Sequence, residues 1–207
     1  MTDAQVHHGS PGGGPRSSRP LAVVAILVAL STAACGGDDG PDAVAAEPPI
    51  GTELADGGPN ATVELTAADF RFDGVPDTVP VGARFRLRNI SSTEMHELIV
   101  IRIPDGDDRD VATLVALPEE ELDELFGDEE LLATVILALP GEDGFAVVGD
   151  GSVTEPGRYA LLCFIPTGVD PDEFLAAVEA AGGGPPEIDS GPPHVAHGMF
   201  AEVVVTP

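Results

Sequence analysis

The chain has 207 residues, with 36 acidic side chains against nine basic ones and a net charge of −27 at neutral pH. All nine basic residues are arginine, and they are scattered; the clustered cations that grip phosphate backbones are missing, which excludes nucleic-acid binding. A partner protein is expected to be basic or to dock on a neutral patch.

Residues 1–35 read as a targeting segment. Arg16 and Arg19 precede the apolar run Leu21–Leu30, which is too short for a comfortable membrane span and has the layout of a secretory signal. Small residues Ser31-Thr32-Ala33-Ala34 then lead to Cys35. This resembles a bacterial lipobox, with Thr32 where that motif usually has Leu. The resemblance implies that Cys35 becomes a lipidated N-terminus, anchoring an extracytoplasmic bacterial lipoprotein to the cell membrane. Ordinary cleavage near Ala34 and an uncleaved anchor are the alternatives. His7 and His8 fall in the removed segment. Residues 36–60 are rich in Gly, Asp, Pro and Ala, cannot bury a core, and are expected to form a flexible linker.

Residues 61–207 suit one domain and read mostly as strands. Thr62–Thr66 alternates polar with apolar, and Arg84–Arg88 alternates strictly, with Phe85 and Leu87 predicted to face inward. The β-branched run His96–Ile103 is predicted to be a central strand covered on both faces. Phe145–Val148, Arg158–Ile165 and Met199–Val205 complete six or seven strands with Gly/Pro turns, the pattern of a β-sandwich. Two helical inserts interrupt it. Pro118–Phe126 has an early Pro and acids in its first turn, as a helix start should, and Leu131–Leu139 follows as an apolar helix or strand. Asp170 is the expected cap of a second insert helix running to Ala181, with Phe174 and Val178 on its buried face.

The residues that carry chemistry are few. With Cys35 lipidated, Cys163 is the one thiol left in an exported chain, and it ends an apolar strand. His96 opens the central strand. His194, His197 and Met199 lie just before the last strand. Tyr159, Leu161 and Cys163 alternate with period two and share a face. Cys, two His and Met are the donor set of a trigonal copper plane with a weak axial thioether.

The pattern Gly157-x-Tyr159-x₃-Cys163, then Pro166, then His194-x₄-Met199 and a final strand resembles a cupredoxin of the plastocyanin/azurin type. The likeness covers residues 61–207, with Asn89 and His96 matching the turn and first histidine of that family. It implies an all-β, cupredoxin-like Greek-key β-sandwich, a mononuclear type 1 copper held by His96, Cys163, His194 and Met199, and one-electron transfer with a redox protein. His197 is the alternative to His194. Two departures stand out. The family puts only a few residues between the Cys and the second His, whereas here they are 31 positions apart. Three doublings of loop length cost only about 2 kcal/mol, against on the order of 10 kcal/mol that metal binding can return. Glu97 stands where the family often has a small polar residue or Asn whose side chain supports the thiolate, so that support is not expected from it.

Other chemistries lack their residues. There is no HExxH, Cys-x-x-Cys, glycine-rich phosphate loop or serine elbow. A Cys163–His nucleophile would need a lowered thiol pKa, which an apolar strand does not give. Asp105, Asp107, Asp108 and Asp110 lack EF-hand spacing and read as a solvated loop. A non-enzyme is therefore expected. A copper carrier or buffer, and a metal-free protein-binding module, are the readings that compete with electron transfer.

Overall fold

The computed structural model describes residues 58, 60–181, 188 and 190–207; the leader, Cys35 and nearly all of the linker lie outside them. The described chain forms two sheets packed face to face. The smaller joins β1 (Thr62–Ala68), β2 (Arg71–Asp73) and β4 (Arg84–Asn89) in the order β2-β1-β4, with β1 and β4 parallel. The larger joins β3 (Thr78–Pro80), β5 (His96–Arg102), β6 (Leu132–Ala138), β7 (Phe145–Val148), β8 (Gly157–Leu162) and β9 (Phe200–Thr206) in the order β3-β9-β8-β5-β6-β7. Apart from β3 beside β9, its pairs are antiparallel. This is the expected β-sandwich, and its helices fall in two inserts, between β5 and β6 and between β8 and β9.

Period-two patterning explains which side chains meet. Val63, Leu65, Phe85 and Leu87 of the small sheet pack against Leu98, Val100, Tyr159, Leu161 and Val203 of the large one. The alternate residues Ile99, Ile101, Ala160 and Leu162 point to the opposite face. There they are covered by the first insert, α1 (Val111–Val115) and α2 (Glu119–Phe126), through Val111, Leu114, Leu125 and Phe126. β5 is thus apolar on both sides because both sides are buried, as its unbroken run of branched residues implies.

Four elements differ from or add to the sequence reading. β2 and β3 are three residues each, too short to show a period. α1 was not expected: its cap, Asp110, lies in the acidic run read as a solvated loop. There Asp110 Oδ1 accepts the Thr113 N–H at 2.7 Å, Asp105 pairs with Arg102 and Asp107 with Arg109. The segment left open as helix or strand is β6, settled by its pairing with β5. Arg158 of β8 ties this insert down. It grips Glu202 through two 2.8 Å bonds and donates to the carbonyls of Asp107 and Arg109. The second insert helix, α3 (Pro171–Ala180), is capped by Asp170 and buries Phe174 and Val178 against the main core. Among the described residues, no helix is long and apolar enough to cross a membrane.

Candidate metal centre

Three strand ends meet at one end of the sandwich. His96 is the first residue of β5, held by the turn that leads into it. Asn89, buried at the end of β4, organises that turn with three hydrogen bonds: Nδ2 donates to the carbonyls of Glu94 (2.9 Å) and Ala138 (3.1 Å), and Oδ1 accepts the Ser91 N–H (2.9 Å). Cys163 follows β8 directly, and Met199 directly precedes β9. The Cys163 N–H donates to the Met199 carbonyl at 3.3 Å, so these two residues continue the β8–β9 pairing beyond the strands.

His194 lies on a single 3₁₀ turn, His194–His197, just before β9. The Val195 N–H bonds the Cys163 carbonyl (2.8 Å) and the His194 N–H bonds Ile165 (2.9 Å). Gly198, at φ 100°, reverses the chain so that the Met199 N–H reaches back to the His194 carbonyl at 3.1 Å. A helical turn separates the two histidines: His194 is wholly buried, and His197 is exposed.

The long Cys-to-His spacing does not loosen this arrangement. The Thr167 N–H bonds Pro192 (3.0 Å) and the Gly191 N–H bonds Thr167 (3.1 Å). With Pro166 bridged to Pro193, these bonds close a neck, and α3 hangs beyond it. At the metal end the insert is a short closed loop.

Within this frame His96, Cys163 and His194 bring one donor atom each to within 4.8 Å of the others, all three residues buried. The two Nδ1 atoms stand 3.1 Å apart, and Cys163 Sγ is 3.4 Å from His194 Nδ1. Nitrogen and thiolate donors sit about 2.0–2.3 Å from a first-row ion, so ligands sharing one ion stand roughly 3–4 Å apart, as these do. Met199 is fully buried in the same core as Cys163.

The electrostatics suit a cation. Burial lowers His96 to about 4, with His194 adding to the effect, and burial lowers His194 as well. Both rings are therefore neutral at pH 7 and offer lone pairs. Burial pushes the Cys163 thiol far up, and the Glu97 charge adds to it. Without a cation this thiol stays protonated, which removes it as a nucleophile. His96 Nε2 is buried without a partner.

Glu97 serves the site differently from the residue it replaces in the resemblance. Its backbone N–H points to Cys163 Sγ at 3.4 Å, while its carboxylate accepts the Phe164 N–H at 2.8 Å, pinning the residue after the thiol. Burial raises this carboxyl to about 7, against the pull of the Phe164 hydrogen bond. Two neighbours escaped the sequence reading. Phe70, at φ 63° in the two-residue β1–β2 turn, sets its ring edge-on to His194 (centroids 5.1 Å apart) and beside His197 (4.7 Å). Glu94 reaches His194 across 100 positions. No local spacing announces either contact.

No family model matches the chain, and no curated protein matches it by sequence. Solved structures do. A dithionite-reduced auracyanin from the photosynthetic bacterium Roseiflexus castenholzii is 18% identical, with 70% of this chain and 97% of that one covered and a TM-score of 0.39. Auracyanin B, at 19% identity, covers 70% and 88% with a TM-score of 0.38. Auracyanin A, a "blue" copper protein from the green thermophilic bacterium Chloroflexus aurantiacus, is 18% identical over 70% and 98%, with a TM-score of 0.38. At this distance a neighbour's copper says nothing of this chain's ligands; its own donors must. The described residues form a two-sheet β-sandwich whose buried His96, Cys163 and His194 donors lie close enough together to hold a single metal ion.

Proposed function

We propose that this protein is a one-electron carrier with a mononuclear type 1 copper, which His96, Cys163 and His194 would hold, with the buried Met199 offering a thioether. The observation that carries the reading is the convergence of three wholly buried donors, two imidazole Nδ1 atoms and one thiol, on a single point. Bound copper supplies a Cu(II)/Cu(I) couple, and this donor set suits both states: thiolate and thioether favour Cu(I), and imidazole serves either. Cys163 would give up its proton to bind such an ion, and the Glu97 N–H would remain to hydrogen-bond the sulfur. The strand ends and the closed neck hold the donors in place, and the apolar shell excludes water. No general acid, base or nucleophile is called on, so the protein is not an enzyme on this reading.

Its cellular setting follows from the segment outside the described residues. The signal-like run, Cys35 and the Gly/Asp-rich linker fit a lipid-anchored, extracytoplasmic domain on a tether, exchanging electrons with a basic or neutral-surfaced protein. Cyclic voltammetry of the copper-loaded protein tests the function. A reversible one-electron wave is expected. Tight Cu(I) binding with no reversible wave would make the protein a copper carrier instead.

A further inference from the structure

The ring of His194 is clamped from its far side. Its outer nitrogen, Nε2, lies 3.2 Å from Glu94 Oε2, and the same oxygen accepts the Gly168 N–H at 3.0 Å. Glu94 is not a free surface acid. Its N–H donates to Ser91 Oγ (3.0 Å), its carbonyl accepts Asn89 Nδ2 (2.9 Å), and its side chain is 15% exposed. The carboxylate thus joins three parts of the fold: the turn that presents His96, the neck of the second insert, and the ring of His194.

An ionised carboxylate only accepts hydrogen bonds. His194 Nε2 must then carry the ring proton, which leaves the lone pair on Nδ1, the atom that faces His96 Nδ1 and Cys163 Sγ. Phe70 closes the ring's edge, so rotation away from this pose meets packed side chains. We propose that Glu94 is the positioning residue of this centre: it fixes the tautomer and orientation of His194, and its negative charge favours the oxidised over the reduced ion. The second half rests on the copper reading above; the first does not. A carboxylate behind a metal-bound imidazole raises that ligand's basicity, and such partners typically matter 10–100-fold for metal affinity.

The test uses full-length protein purified in detergent, ¹⁵N-labelled at histidine. In the metal-free state, ring-nitrogen NMR should find wild-type His194 as the Nε2–H tautomer alone. In Glu94→Ala the Nδ1–H form should rise at least tenfold, the fold being checked by circular dichroism. Should that variant not fold, Glu94→Asp, which keeps the charge and shortens the reach, is read in its place. An unchanged tautomer overturns the clamp. After copper loading, Glu94→Gln should weaken Cu(II) relative to Cu(I) at least tenfold, raising the midpoint by about 59 mV per factor of ten. An unchanged midpoint overturns the electrostatic half. If the wild type takes up no copper, the electron-transfer reading and that half fall together, while the tautomer still decides the clamp.

Discussion

Glu97 carries two tasks through two different atoms, its amide toward Cys163 and its carboxylate toward Phe164. Truncation to Ala strands the Phe164 N–H, and an orphaned buried donor costs about 1–3 kcal/mol. Glu97→Gln keeps an acceptor and should lose clearly less; equal losses in urea denaturation would show that Phe164 does not need this bond. Surface acids contribute to the response to strong acid. Asp107 is held down to about 2, chiefly by its hydrogen bonds from Arg109, and Asp150 to about 2 by Ser152 and then Arg84. Their folded pKa values lie below the ordinary carboxylate value, so the stability they lend is present above about pH 4 and is lost as the pH falls through about 2. The unfolding midpoint should drop over that window, and less steeply in Asp107→Asn; identical curves would remove Asp107 from the cause. At this scale the sequence told much about the donors and little about their support. Cys163, His96 and Met199 stand out as residue types at strand ends. Glu94 and Phe70 act through contacts made only by folding.

Short pieces decide the geometry at the scale of elements. The 3₁₀ turn at His194–His197 separates a buried histidine from an exposed one, and nothing in Pro193-His194-Val195-Ala196-His197 distinguishes a turn from a strand start. Gly198→Ala would force a side chain into the left-handed region, a strain of order 1–3 kcal/mol. It should lower stability by about 1 kcal/mol, read as a shift of the denaturation midpoint. α3 shows what a strong signal looks like: Asp170, Pro171 and the Phe174/Val178 spacing mark its start and its buried face. Its hold on the domain comes from that face. Phe174→Ala should cost about 3–5 kcal/mol, against about 1 kcal/mol for loss of the Asp170 cap; equal costs would mean that α3 is only loosely packed. β6 shows the limit, since an unbroken apolar run has no period and either structure could bury it.

For the whole molecule, the sandwich was legible because alternation in β1 and β4 and the continuous run in β5 state which faces are covered. The covering of the large sheet by α1 was not, because five residues under an acidic run give no periodic signal. The net charge of −27 makes any encounter with a basic protein sensitive to salt, and such a protein should associate more slowly as ionic strength rises. Copper bound only to the folded state should raise the unfolding free energy by about 2.7 kcal/mol when free copper is about a hundred times Kd, and Cys163→Ala should erase that gain. The most direct measurement is the visible absorption spectrum of the purified protein after Cu(II) is added and excess metal removed. An intense thiolate-to-copper charge-transfer band, lost in Cys163→Ala and His96→Ala and kept in His197→Ala, is the predicted result. A colourless protein that binds no Cu(II), or one that holds copper equally well in all three variants, would contradict a copper centre at His96, Cys163 and His194.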